Sequence, residues 1–252
     1  MTSLPLRSSR RAFLAGGVSL LVVGALSPVS AHSYSGQLPW LIDNTEPPVP
    51  VKPGGWYFFL PDEVALMSAI CDRLIPADDL SPSGTDAGCV VFLDRQLAGP
   101  YGRAERLYMK GPFHPGLPTQ GYQGPNTPAQ RFRKGLAAIG KAVDAKTPGK
   151  KFTDWDAKDQ DAFLTSLEKG DVKFGNGLDS KTFFAFMLEN VMEGFFADPI
   201  YGGNKDMAGW KMIGFPGARY DYRAWVPQHN KPFTGAPISI AGSVQWGGKA
   251  DK

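Results

Sequence analysis

The sequence predicts a mainly α-helical protein of about five helices, with long irregular loops and a proline-rich N-terminal arm. Three observations carry this. Apolar residues recur at helical spacing in five separate segments. Several of those segments open on a capping residue or a first-turn proline. The 30 glycines and 22 prolines imply much irregular chain between the helices. With 42% hydrophobic and 12% aromatic residues, the chain can bury a real core.

Residues 1–31 read as a secretory leader. Arg10 and Arg11 precede Ala12-Phe13-Leu14 and a weakly polar stretch to Leu26, and Val29-Ser30-Ala31 supplies small residues for cleavage after Ala31. The adjacent arginines give it the twin-arginine signature of folded export, which places the mature protein in the periplasm. These 31 residues hold Arg7, Arg10 and Arg11 and no acid, so they account for all of the +3 formal charge. The neutral remainder gives no electrostatic reason to bind nucleic acid or anionic lipid. No later segment is long and apolar enough to span a bilayer, because Phe183–Phe196 is short and broken by Glu189, Asn190 and Glu193.

Residues 32–59 form the arm. Its run Glu46-Pro47-Pro48-Val49-Pro50 lacks the donors that regular structure needs. The aromatic knot Trp56-Tyr57-Phe58-Phe59 needs a surface to cover it, on the core or on a partner. A single domain then occupies residues 60–252.

Helix one starts at Pro61, with Asp62 and Glu63 in its first turn. Val64, Met67, Ile70, Cys71 and Leu74 share a face, and Pro76 stops it. Helix two runs from Thr85 to Leu97, with Cys89, Phe92, Leu93 and Gln96 at helical spacing. Residues 99–127 are a long loop of glycine, proline and aromatics, a length that usually means function. Helix three opens with Thr127 as cap and Pro128 first, and Phe132, Leu136, Ile139 and Val143 follow. In Thr153-Asp154-Trp155-Asp156 we read a capping box opening helix four, which runs to about Lys169. Ser180 is expected to cap helix five, Lys181–Phe196. Beyond Ala197 no period survives, though short extended pieces fit Pro237–Ile240.

Cys71 and Cys89 are the only cysteines. An even pair in an oxidising compartment suggests one disulfide, worth about 3 kcal/mol for a loop of this size. The alternative is two buried thiols packing as small hydrophobes.

The sequence carries no Gly-x-Gly-x-x-Gly after a strand and no Cys-x-x-Cys-His, so no flavin, nicotinamide or covalent haem site is signalled. Histidine occurs only at 32, 114 and 229, which leaves few candidates for a metal site or a triad. Asp78, Asp79, Asp154 and Asp156 read as turn and cap residues. Gly202-Gly203-Asn204 lacks the Lys-Ser/Thr of a phosphate loop. No catalytic, cofactor-binding or metal residue is assigned to this chain.

Long loop strings carry a resemblance. They are Leu74-Ile75-Pro76-Ala77-Asp78-Asp79, Ala87-Gly88-Cys89, Phe92-Leu93-Asp94-Arg95-Gln96, Gln120-Gly121-Tyr122-Gln123, Asp198-Pro199-Ile200-Tyr201-Gly202-Gly203-Asn204, and Ile213-Gly214-Phe215-Pro216-Gly217. Together they resemble the small (gamma) subunit, or subunit 3, family of membrane-bound gluconate 2-dehydrogenase. The resemblance implies a three-part enzyme on the periplasmic face of the inner membrane. There a large subunit bears FAD and oxidises a sugar acid or polyol, and a multihaem cytochrome c subunit with haem c passes electrons to quinone. The small subunit brings no cofactor, meets the membrane only through its partners, and helps the flavin subunit mature and cross the membrane. Related small subunits serve fructose, sorbitol and 2-ketogluconate dehydrogenases, so the substrate is the weakest part of the transfer.

Tyr201, Trp210, Phe215, Tyr220, Tyr222 and Trp225 are the candidate interface anchors, since tyrosine and tryptophan dominate hot spots. The alternative is that they staple the loops to their own core. Two other functions compete with the subunit reading. One is a free-standing periplasmic carbohydrate-binding protein that stacks sugars on these aromatics. The other is a hydrolase whose site residues are distant in sequence.

Overall fold

The computed structural model describes residues 54–240 apart from 176, 220 and 221. The leader, with Arg10, Arg11 and Ala31, most of the arm, and Tyr220 lie outside the described residues. The expected fold class holds: the described chain is mainly helical, with six α-helices and two isolated β-bridges. They are α1 (Pro61–Leu74), α2 (Cys89–Ala98), α3 (Pro128–Lys146), α4 (Ala157–Lys169), α5 (Ser180–Phe196) and α6 (Ala208–Ile213).

Helix α5 is the hub, and α2, α3, α4 and α6 all pack against it. Its sequence explains this, because Phe183, Phe184, Phe186, Met187, Val191 and Phe195 are all buried and leave no wide polar face. Phe132 of α3 sits edge-on to Phe183, ring centres 5.8 Å apart, and tilted against Phe186 at 5.2 Å. Gly135 lets α3 come this close, since a Cβ there would overlap the Phe183 ring.

Local chemistry sets the helix ends. In α1, the Leu60 N–H donates to the Glu63 carboxylate at 2.9 Å, with Pro61 at the first position. In α3, Thr127 and Gln130 cap each other, the Gln130 N–H on Thr127 Oγ1 at 3.3 Å and the Thr127 N–H on Gln130 Oε1 at 2.9 Å.

Three expected helix starts shift. Helix α2 begins at Cys89 rather than Thr85, because Gly88 adopts a left-handed φ of 86°. Thr85 is spent on α1 instead: its N–H donates to Asp72 at 2.9 Å and its hydroxyl to the Ser68 carbonyl at 3.1 Å. Helix α4 begins at Ala157, capped by Asp156, whose carboxylate accepts from the Asp159 N–H at 2.8 Å. Residues Phe152–Asp154 form a separate 3-10 turn, in which Asp154 accepts from the Lys151 N–H. The cap of α5 is Asp179, not Ser180. Its carboxylate takes both the N–H and the hydroxyl of Thr182 at 2.8 Å, while Ser180 is buried within the helix.

Half of the aromatic knot docks on the chain's own core: Phe59 is buried and Phe58 half-buried, while Trp56 and Tyr57 stay exposed. Asp94 of α2, 0% exposed, accepts the backbone N–H groups of Tyr57, Phe58 and Phe59, each at 2.9 Å. Arg95 pairs with the same carboxylate at 2.5 Å and lies over the Tyr57 ring. Arg133 of α3 holds the knot from the other direction, bonding the Phe58 carbonyl at 2.7 Å and pairing with Glu63.

The C-terminal loops are tied down in the same manner. The extended piece expected at Pro237–Ile240 is one bridge, Ile238 beside Gly217. Asp198 fastens it, accepting the Ser239 hydroxyl and the Ile240 N–H, both at 2.6 Å.

The expected Cys71–Cys89 disulfide is not formed in this structure. Both are free thiols in the core, where they pack as small apolar groups. Burial pushes the Cys71 thiol well up and that of Cys89 up to about 12, so neither is a ready nucleophile.

Candidate functional site

Two open grooves lie along α5, one beside its N-terminal half and one beside its C-terminal end. The first encloses about 760 Å³. One wall is the 113–125 stretch of the long loop, the other is Thr182, Ala185, Phe186 and Glu189 of α5, and Arg131 of α3 reaches in between. The second encloses about 880 Å³ among Phe92 and Gln96 of α2, Tyr101 and Leu107 of the loop, Glu193 of α5 and Tyr201.

The chain crosses between the grooves by one polar link. The Tyr101 hydroxyl donates to Asn190 Oδ1 at 2.8 Å, and Asn190 Nδ2 donates in turn to the Phe186 carbonyl at 2.8 Å. Each is satisfied, so the link fixes the loop against α5. Burial raises the Tyr101 phenol above its ordinary value. Glu193 is also raised, first by burial and then by Glu189 one turn away.

Arg131 is the unusual member. It is 8% exposed, and the Tyr122 and Phe186 rings lie against its guanidinium at 4.1 and 3.6 Å. Partial burial lowers its pKa, because a guanidinium with less water around it is less comfortable charged.

The proposed anchor residues do not form one patch. Tyr201 is 48% exposed and lines the second groove. Trp210 is a correction: it is 5% exposed, its indole N–H donates to the Phe196 carbonyl at 2.7 Å, and it staples α6 to the end of α5. Phe215 stands exposed, edge-on to Trp210. Tyr222 is exposed and Trp225 half-buried, both against Phe233. Tyr220 lies outside the described residues. Further apolar side chains stand exposed along the long loop at Leu107, Tyr108, Phe113, Leu117 and Tyr122.

Sequence reasoning missed Arg131, Tyr101, Asn190 and Asp94. A signal existed for Arg131, since it falls on the inward stripe of α3 beside Pro128, Phe132 and Gly135. For the Tyr101–Asn190 link none existed, as its members stand 89 positions apart.

Among the described residues there is no group of three or more His, Cys, Asp or Glu side chains placed to hold a metal ion. No helix among them is long and apolar enough to cross a membrane. What fold and grooves define is a helical domain with an aromatic, loop-built surface around one hub helix. The chain belongs to the gluconate 2-dehydrogenase subunit 3 family, whose model matches residues 61–217, well over half of its length. No curated protein and no solved structure matches it.

Proposed function

We propose that this chain is the non-catalytic small subunit of a periplasmic, membrane-associated sugar-acid dehydrogenase, with gluconate as the expected substrate. Its partners are a flavin-bearing large subunit and a multihaem cytochrome c subunit. Its task is to help the flavin subunit mature in the cytoplasm and leave through the twin-arginine route. The observation that carries this reading is the family match across residues 61–217. The Arg10-Arg11 leader supports the export role, and the exposed apolar residues of the long loop suit burial against a larger protein.

The test is genetic and direct. Deleting the chain, or replacing Arg10 and Arg11 with lysine, is expected to leave the flavin subunit in the cytoplasm and abolish gluconate oxidation at the membrane. Undiminished export of a flavin subunit that has no leader of its own would count against the role.

A further inference from the structure

We infer that the groove around Arg131 is the receptor for a carboxylate carried by the partner polypeptide, an acidic side chain or a chain terminus laid into it. This rests on the subunit reading above. Arg131 is more than nine-tenths buried, yet its guanidinium has no hydrogen-bond or ion-pair partner among the described residues. A guanidinium carries five N–H donors, and those of Arg131 find no acceptor among the described residues and open on the groove instead. The groups facing it are the Tyr122 and Phe186 rings, the Tyr101 phenol and, farther off, Glu189. Glu189 lines the same groove but makes no ion pair with it. Arg131 therefore stands as a half-made charge pair.

The geometry selects the missing half. The donors of a guanidinium lie in its plane, and two rings already lie against it. An acceptor arriving along the free edge and taking two parallel N–H bonds is a planar carboxylate. Glu189 in the wall opposes any incoming anion, a doubly charged phosphate about twice as strongly as a singly charged carboxylate. Two features favour a polypeptide as the bearer. The groove is open and far larger than a single acid group. Its rim continues into the exposed apolar side chains Phe113, Leu117 and Tyr122 of the long loop. An arginine and a tyrosine at the centre of such a rim make a hot-spot pattern.

The experiment compares full-length wild type with Arg131→Met, Arg131→Lys and Ala185→Tyr, the last obstructing the groove from an exposed position on α5. Each is co-expressed with the dehydrogenase, and affinity for the flavin subunit is read from flavin absorbance in the purified complex. Arg131→Met is expected to weaken binding about 30-fold or more, as removal of one member of a buried charge pair does. Arg131→Lys should fall between, since it keeps the charge and loses the fork, and Ala185→Tyr should weaken binding as well. The uncomplexed Arg131→Met chain should melt no lower than wild type, because no side-chain hydrogen bond or ion pair among the described residues is lost. A merely structural arginine would instead lower the melting point. Unchanged affinity in folded Arg131→Met and Ala185→Tyr overturns the groove assignment while leaving the subunit reading intact. A wild-type chain that holds no flavin subunit at all overturns both. Arg131-dependent binding of gluconate or acetate to the isolated chain at millimolar concentration would assign the groove to a small acid and overturn the polypeptide.

Discussion

At the scale of single residues, the molecule concentrates its specificity in a few buried charges. Asp94 satisfies three backbone donors and an arginine from inside α2. Replacing Asp94 with alanine is expected to cost about 3–5 kcal/mol, the range for breaking a buried ionic network. Asp94→Asn should lose less because one oxygen still accepts. Denaturant midpoints of the two variants check this. Glu193 behaves in the opposite sense. Burial and then Glu189 raise its folded value, so the fold holds its proton more tightly than the unfolded chain does. Stability from this group is therefore present below the ordinary carboxyl value of 4.5 and falls as pH rises through the raised value. Glu193→Gln should raise the melting temperature at pH 7 and leave it unchanged below pH 4.5, as thermal scans across that window will record. None of these roles was legible in the chain. Asp94 reads as an ordinary helix residue until residues 57–59 are seen to fold back on it.

At the scale of elements, the helices were legible because five segments carry both a 3.6-residue period and local punctuation. The shifted starts share a cause: several residues compete for each cap, and tertiary contacts choose among them. Thr85 lost because it bonds to α1, and Ser180 lost because Asp179 reaches Thr182 better. Helix α6 was invisible for a different reason. Six residues are too few to show a period, and its approach runs through left-handed Asn204, Asp206 and Met207, which the Asn204 bonds to Ala197 and Gly209 and the Lys205 N–H bond to the Ala87 carbonyl help to hold. The Asp179 cap yields a prediction at this scale. Bonds from the Thr182 N–H, and then from its hydroxyl, hold the carboxyl below its ordinary value. The cap's contribution is thus full above pH 3.8 and lost as pH falls through the depressed value. Asp179→Ala should destabilise the fold by about 1 kcal/mol at pH 7, and the gap from wild type should close in acid, where chemical denaturation curves will converge.

At the scale of the whole molecule, the two thiols report on the integrity of the core. In the described state both are buried and protonated, so native protein should react negligibly with a thiol reagent over minutes. Denatured protein should release two thiols. Finding none in unreduced denatured protein would mean the pair is oxidised after all. The grooves belong to this scale too. Each draws on helices and loops far apart in sequence, which is why the resemblance of the loop strings could suggest an interaction protein without locating its surface.

The clasp on Asp94 has a mechanical consequence. Residues 57–59 lie close to the start of the described chain, so a pull on the backbone just ahead of them is delivered to the middle of α2. The load is shared by three bonds converging on one carboxylate, deep in the structure, rather than falling on a fraying helix tip. A pull arriving at residue 57 is thereby met at the centre of α2 before it reaches the first turn of α1.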